Sequence, residues 1–231
     1  MPGSDEQAAS SAQLPYLYAE SKQNGGEKVG VRAADYIHWD TDMESALRVA
    51  GFCWLAIFVL WAILGFAVKQ TVGSRSDVRA RIAVWGVMLA WLILFIDDMR
   101  PGVLAQRFLP MDPAIADAGL AITIVGLGFA VWARLVIGRN WGGLITVQQD
   151  HKLMRKGPYG IVRHPIYSGF MLATLGTAII VGQVGGLLSV ALIVISWGYK
   201  ARLEETLMVE QFGAEYEDYR RHVKALIPGI W

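Results

Sequence analysis

The sequence predicts an all-α, polytopic integral membrane protein with about five transmembrane helices and a C-terminal amphipathic helix in the cytosol. Hydrophobic residues make up 54% of the chain, and its mean hydropathy is positive, at +0.38. Five largely apolar segments are separated by polar stretches. This pattern is typical of membrane proteins, because an apolar segment in lipid satisfies its backbone hydrogen bonds internally as a helix.

The N-terminal part of the chain divides into a polar extension and a pair of apolar segments. Residues 1–42 are rich in Ser, Gln, Gly and Asp and lack a secretory signal pattern, so we expect a mostly disordered extension. Residues 43–110 are expected to form two transmembrane helices. The first, 47–68, is long enough to cross a hydrocarbon core of roughly 30 Å. The second, 82–96, is shorter and should gain a turn at either end.

The third apolar segment, residues 115–137, contains three glycines, Gly119, Gly126 and Gly128. Small residues let helix backbones approach each other closely in membranes, so we expect these glycines to pack against another helix. A dinucleotide-binding loop is excluded here, because no strand precedes the glycines and no third glycine completes the motif.

The last two apolar segments, Pro165–Val181 and residues 187–199, are separated only by residues 182–186. This short separation predicts a tight helical hairpin. The charged tail that follows keeps a helical period. Its aromatic and apolar stripe recurs at spacings of four, three and four, and we expect it to lie on the membrane surface or under the hairpin: Phe212, Tyr216, Tyr219 and Val223.

The distribution of Lys and Arg predicts the orientation of the chain. With five spans, fifteen of the 21 Lys and Arg residues fall on the side that includes the C-terminus, and six fall on the other side. The positive-inside rule therefore places the C-terminus in the cytosol and the N-terminus outside.

Composition also excludes some classes of function. The net charge is +1 and no basic run with interleaved aromatics occurs away from the membrane flanks, so no nucleic-acid partner is expected. Cys53 lies within an apolar segment and is expected to serve only in packing. The four histidines show no metal-ligand spacing, and no metal is expected: His38, His151, His164 and His222.

The segment GPYGIVRHPIYSG, residues 157–169, places two basic residues at the start of the fourth apolar segment. Pro165 suits the first turn of a helix, so His164 is expected at the helix N-terminus. Free backbone N–H groups there favour an anionic ligand, and Arg163 adds a guanidinium suited to a carboxylate or phosphate. Alternatively, both residues are ordinary interfacial side chains.

Two adjacent carboxylates, Glu204 and Glu205, follow the fifth apolar segment. They point about 100° apart on a helix, so they cannot contact one ligand in the same way. Lys200 shares a helical face with Glu204, and Arg202 shares another with Glu205. Solvated salt bridges would explain these spacings. A cationic ligand would explain why carboxylates stand near the C-terminal end of an apolar segment.

Residues 138–169, GRNWGGLITVQQDHKLMRKGPYGIVRHPIYSG, followed by a hairpin, EE and FGxxYxxY, resemble the isoprenylcysteine carboxyl methyltransferase family and its phospholipid methyltransferase relatives. The resemblance covers about residues 110–231 and implies a methyltransferase core from residue 111 to 231. It implies an integral membrane enzyme that uses S-adenosyl-L-methionine in a cytosol-facing pocket, with access from the bilayer for a lipophilic or prenylated acceptor.

The resemblance also implies roles for individual residues. In the eukaryotic members, an arginine that contacts substrate stands one turn before the glutamate of the cofactor site. Here that position is Lys200, with Arg202 nearby, and these two are the candidates for binding substrate. The catalytic candidates are Arg163, His164 and Glu205. The matching cofactor positions are His151, Lys152, Leu153, Met154, Tyr159, His164, Pro165, Ile166, Tyr167 and Glu204.

Several alternatives stay open on the sequence alone. The methyl acceptor could be a carboxylate, a phospholipid amine or a small thiol, which correspond to O-, N- and S-methylation. A membrane reductase that holds a nicotinamide cofactor in an equivalent pocket is a further enzymatic alternative. A membrane scaffold or accessory protein without activity is the alternative from another class.

Overall fold

The computed structural model describes residues 16–18, 30–65, 73–74, 78–96, 100–138, 146–147 and 153–230. Helices dominate the architecture of these residues, as predicted. The α-helices are α1 (Ala33–Gly65), α2 (Val78–Phe95), α3 (Pro113–Ile137), α4 (Pro165–Val181), α5 (Val184–Phe212) and α6 (Ala214–His222). Two short antiparallel pairings accompany them, between β1 (Tyr16–Tyr18) and β2 (Gly30–Arg32) and between β3 (Gly73–Ser74) and β4 (Thr146–Val147).

Among the residues that the structure describes, four helices are long and apolar enough to cross a membrane. They are residues Glu44–Leu64 of α1 and the whole of α2, α3 and α5. The shorter α4 is also apolar, and its 17 residues extend about 26 Å at the usual helical rise. The chain is therefore an integral membrane protein, while a fifth crossing by α4 stays a prediction.

Helix bounds agree closely with the sequence where capping residues mark them. The Asp112 carboxylate accepts hydrogen bonds from the N–H groups of Ala114 and Ile115, at 2.7 and 3.4 Å, and begins α3. Gly182 ends α4 in the left-handed region, with φ of 63°, which a glycine adopts without strain. Only Gly182 and Gln183 separate α4 from α5, so the hairpin is tighter than the predicted connection 182–186.

Two predicted bounds are wrong. The first helix begins at Ala33, so residues 33–42 are helical rather than disordered, whereas residues 1–15 and 19–29 lie outside the described part of the chain. Helix α5 continues from the apolar segment through its charged end to Phe212. The charged residues after 199 therefore extend a transmembrane helix, and Gly213, with φ of 51°, separates them from α6.

Glycines bring α3 and α4 into close contact. A Cβ atom at Gly126 would lie 2.5 Å from the backbone nitrogen of Ala173, and one at Gly119 would lie 2.8 Å from the carbonyl oxygen of Gly176. The opposing glycines Gly169 and Gly176 are equally crowded. The packing role predicted for Gly119 and Gly126 is confirmed. The same prediction for Gly128 is wrong, because a Cβ there meets nothing within 4 Å.

Aromatic side chains from four helices form the core beside this interface. Phe170 of α4 lies 5.9 Å from the rings of both Trp54 and Trp91, and 6.5 Å from Trp197 of α5. Two indole N–H groups are satisfied within the core, because Trp54 donates to the Thr177 hydroxyl at 3.0 Å and Trp91 to the Thr174 hydroxyl at 3.3 Å. Such bonds fix helix pairs in lipid, where water offers no partner.

Two arginines, the buried Arg100 and the half-buried Arg107, join the loop before α3 to the α4–α5 turn. Arg100 donates to the Gln183 side chain at 2.6 Å and to the carbonyl oxygens of Ile93 and Leu94 at 2.7 Å. Arg107 donates to the Val181 carbonyl oxygen at 3.0 Å. These bonds satisfy carbonyl groups at helix ends and place the two connections at the same end of the bundle.

Candidate active site

The charged end of α5 meets the N-terminus of α4 at the opposite end of the bundle. His164 is the N-cap residue of α4, as predicted. The C-terminal tail holds this start in place, because the N–H of Arg163 donates to the Lys224 carbonyl oxygen at 2.8 Å and the N–H of His164 to the Ala225 carbonyl oxygen at 2.9 Å. The Ser168 hydroxyl adds a bond to the Leu226 carbonyl oxygen at 2.6 Å.

Glu204 stands at the centre of a buried polar cluster. Its Oε1 atom accepts from the Lys200 ammonium at 2.6 Å and from the Tyr167 hydroxyl at 2.5 Å. Lys200 is almost fully buried, with 4% of its side chain exposed, and also donates to the Tyr167 hydroxyl at 2.6 Å. The predicted shared face of Lys200 and Glu204 is thus confirmed, and burial makes their mutual attraction stronger than at a surface.

Glu205 forms a second, adjacent group. Arg163 donates to its Oε1 atom from Nε at 2.8 Å and from Nη2 at 2.6 Å. Another nitrogen of this guanidinium donates to the carbonyl oxygens of Val223 and Arg220. Arg163 therefore joins α5 to the C-terminal tail. The sequence spacing predicts Arg202 as the partner of Glu205, whereas in the structure Glu205 is paired with Arg163.

His164 lies between the two carboxylates. Its Nδ1 atom is 3.5 Å from Oε2 of Glu204, and its Nε2 atom is 3.2 Å from Oε1 of Glu205. Burial lowers the pKa of His164, but hydrogen bonds to both carboxylates outweigh burial and raise this pKa above its ordinary value. The imidazolium is consequently favoured, and it connects the two acidic groups.

Aromatic rings line the Glu204 side of the site. Tyr167 stacks on Trp197 with ring centroids 4.3 Å apart, and the Lys200 ammonium lies 5.0 Å from the Tyr167 centroid. Trp197 was not among the residues singled out from the sequence. Trp197 precedes Lys200 by three residues and Glu204 by seven. Residues at these spacings lie on one face of a helix, so the sequence could have indicated Trp197 as part of the site.

The loop before α4 packs beside this cluster. Met154, Tyr159, Ile166 and Tyr167 contribute to one apolar cluster with the aromatic core. The Tyr219 hydroxyl donates to the Tyr159 carbonyl oxygen at 2.5 Å, and burial raises the pKa of Tyr219 to about 12, so it stays a neutral donor. Two residues of the predicted stripe, Tyr216 and Tyr219, are buried in α6, whereas Phe212 is the last residue of α5 and Val223 follows α6.

The structure describes most of the predicted cofactor positions. Leu153 is half-buried, and Pro165 is buried in the first turn of α4. His151 and Lys152 lie outside the described residues. The two candidates for substrate binding lie in different places. Lys200 contacts Glu204, whereas Arg202 lines a cleft with Glu205 and Arg163.

Known proteins resemble this chain in sequence and in fold. Residues 115–215 match the family model described as phospholipid methyltransferase. Protein-S-isoprenylcysteine O-methyltransferase B of Arabidopsis thaliana is 31% identical over 121 residues, which are 50% of this chain and 60% of that protein. Methanethiol S-methyltransferase 1 of Bradyrhizobium diazoefficiens is 30% identical over 128 residues, which are 49% of this chain and 44% of that protein. The chain therefore spans about three fifths or less of the length of these relatives.

A solved structure shares the architecture. It is the eukaryotic intramembrane Ras methyltransferase ICMT, isoprenylcysteine carboxyl methyltransferase, with a TM-score of 0.53 and 25% sequence identity. The match covers 86% of this chain and 69% of that one. All of these relatives are methyltransferases, which require a methyl donor. The predicted resemblance to the isoprenylcysteine carboxyl methyltransferase and phospholipid methyltransferase families is confirmed.

Proposed function

We propose that this chain is an integral membrane methyltransferase that uses S-adenosyl-L-methionine and acts on a lipophilic acceptor, most like an isoprenylcysteine carboxyl O-methyltransferase. The observation that carries this proposal is the buried group of Glu204, Lys200, Tyr167 and His164 where α5 leaves its apolar segment. A soluble cofactor and a membrane-dissolved acceptor can meet at this depth.

The residues present fit S-adenosyl-L-methionine. Glu204 offers a carboxylate for the ammonium of the cofactor, and the rings of Tyr159 and Tyr167 offer apolar and cation–π contacts to its adenine or sulfonium. Leu153, Met154, Pro165 and Ile166 would complete the apolar wall, with His151 and Lys152 as further proposed contacts. The cofactor supplies an activated methyl group with a neutral thioether as leaving group.

The protein then has to align the reacting atoms and exclude water. A carboxylate acceptor needs no general base, and we propose that the Lys200 ammonium, which is paired with Glu204, also binds this carboxylate. Arg163 holds Glu205, and Glu205 contacts His164, so we assign Arg163 and Glu205 the task of positioning the imidazole. Arg202, the other candidate for substrate binding, follows Lys200 on α5 by two residues.

A small thiol or a phospholipid amine is the second candidate acceptor. The methanethiol S-methyltransferase relative supports the thiol, and the phospholipid methyltransferase match supports the amine. Either acceptor must lose a proton, and the candidate bases are Glu205 and the neutral form of His164, which its raised pKa disfavours. For each acceptor we propose a cytosol-facing site with the N-terminus outside, supported by the partition of Lys and Arg.

Transfer of a labelled methyl group tests the proposal. Protein in lipid nanodiscs is incubated with methyl-labelled S-adenosyl-L-methionine and, separately, with an S-farnesyl cysteine, phosphatidylethanolamine or methanethiol. We expect the label mainly in a base-labile methyl ester of the prenylated cysteine, and the Glu204→Gln variant to lose it. Label in the amine or the thioether product identifies the second candidate instead. No transfer to any acceptor, with no binding of the cofactor, contradicts the proposal.

A further inference from the structure

A second polar feature lies on the Glu205 side of α5, separate from the Glu204 cluster. It is a cleft of about 310 Å³ between the charged end of α5, the end of α6 and the C-terminal tail. The described residues that line it include four cationic side chains and one carboxylate: Arg163, Arg202, Arg220, Lys224 and Glu205. We infer that this cleft binds the phosphate of an anionic membrane lipid.

The charges in the cleft favour an anion. Glu205 is already engaged, because it accepts two bonds from Arg163 and contacts His164. Arg220 has a partly exposed partner in Glu217, at 3.1 Å. Within the described residues, the structure gives the Lys224 ammonium no carboxylate partner. An excess of positive charge around a concave site attracts phosphate, which guanidinium groups bind with two parallel hydrogen bonds.

The walls and the position of the cleft favour a lipid as the source of the phosphate. Ala201, Ala225 and Leu226 line it with apolar surface, and Ile230 at its rim is 77% exposed. Gly198, Ala201 and Arg202 line the cleft at the end of the apolar segment of α5 on which Ile195 and Tyr199 are exposed. Basic pockets at this depth bind lipid headgroups while the acyl chains stay in the bilayer.

The cleft and the proposed active site share one connection. Arg163 lines the cleft and also holds Glu205 beside His164. A phosphate that contacts Arg220 and Lys224 would keep the C-terminal tail closed over the start of α4. The inference does not rest on the proposed function, because binding can be measured without any methyl transfer.

Titration of the detergent-purified protein with dihexanoyl phosphatidate tests this inference. We expect saturable binding, at least tenfold weaker binding of dihexanoyl phosphatidylcholine, and at least tenfold weaker binding of phosphatidate to the double variant Arg220→Gln, Lys224→Gln. The Arg221→Gln variant is the matched control, because Arg221 is exposed on the same helix outside the cleft. The charge-preserving Arg220→Lys, Lys224→Arg variant should bind as the parent does, which separates loss of charge from loss of folding.

Three results would overturn the inference. Equal affinity of the parent and the neutralised variant would show that phosphatidate binds elsewhere. Inorganic phosphate that binds as tightly as phosphatidate would identify a site for free phosphate rather than lipid. Displacement of phosphatidate by an S-farnesyl cysteine at equal concentration would assign the cleft to the carboxylate of the acceptor.

Discussion

His164 experiences two opposing effects, and their balance determines its charge. Burial disfavours the imidazolium, whereas Glu204 and Glu205 on either side of the ring favour it and raise its pKa. Both carboxylates come from α5, so the cationic ring joins that helix to the start of α4. The charge of this one residue should therefore influence the stability of the whole site.

We predict that stability depends on pH through His164. A raised pKa means that folding favours the protonated ring, so its contribution is complete below the unfolded value of 6.5 and is lost as pH rises through the folded pKa. The thermal unfolding midpoint of the purified protein should fall with pH above 6.5. The His164→Gln variant should unfold at a lower temperature with a flatter pH profile. Parallel profiles for parent and variant would contradict this assignment.

At the scale of elements, the contact between α3 and α4 depends on glycine at particular positions. A Cβ atom at Gly126 would meet the backbone of Ala173 at 2.5 Å, and backbone cannot move aside as a flexible side chain can. Gly128 lies two residues further along the same helix and has open space where its Cβ would be. Substitutions at Gly126 and Gly128 therefore distinguish the effect of helix packing on stability from the effect of helix propensity.

We predict opposite effects for alanine at these two glycines. Gly126→Ala should destabilise the protein by about 1 to 3 kcal/mol, because the helices must separate. Gly128→Ala should be neutral or stabilising by up to ~1 kcal/mol, since alanine favours a helix more than glycine does. Thermal unfolding in detergent compares the two. Equal loss of stability in both variants would show that the close approach of α3 and α4 is not what these glycines provide.

The sequence was most informative where a local residue marks the end of an element. Pro165 begins α4, as predicted, and Gly182, the first residue of the predicted connection, ends it. Helix α3 begins at Pro113, two residues before the predicted bound, because Asp112 caps it. The sequence predicts a helical period for the charged tail after residue 199 but separates this tail from the fifth apolar segment, whereas α5 continues without a break to Phe212. Its charged side chains are supported by tertiary partners, including Tyr167 for Lys200, that no local pattern reveals.

In the candidate site, too, some contacts follow from the local sequence and others arise only from the packing of helices in space. The nearness of His164 to Glu204 agrees with the family resemblance, and the shared face of Lys200 and Glu204 followed from helical spacing. The bond from Arg163 to Glu205 depends on how α4 approaches α5 in space. The stack of Trp197 on Tyr167 likewise joins two helices, so only the three-dimensional arrangement reveals it.

For the whole molecule, the structure places two sets of connections at opposite ends of the bundle. Arg100 and Arg107 contact the α4–α5 turn at one end, and Arg163, Arg202 and Lys224 lie together at the other. The more basic end is the one that carries the candidate active site. This arrangement agrees with the partition of Lys and Arg along the sequence.

We predict that the basic end faces the cytosol. A reporter that is active only in the cytosol, fused after residue 231, should be active, and one fused within residues 97–99 should not. As a control, the same fusions are made in a variant in which equal numbers of Lys and Arg residues are moved from one end of the bundle to the other. This variant tests whether charge determines the orientation. Activity of the C-terminal fusion outside the cytosol would contradict the predicted orientation.

The central claim is that Glu204 holds the ammonium of S-adenosyl-L-methionine, and isothermal titration of three proteins tests it most directly. Glu205→Gln is the matched control for Glu204→Gln, because it makes the same chemical change one residue along the same helix. Loss of a buried charged acceptor costs on the order of 2 to 4 kcal/mol, so Glu204→Gln should weaken binding about 30-fold to 1000-fold. Glu205→Gln, which loses its bonds to Arg163, should lower the unfolding temperature and keep affinity within about threefold of the parent. The reverse pattern, or equal affinities in all three folded proteins, would contradict the account.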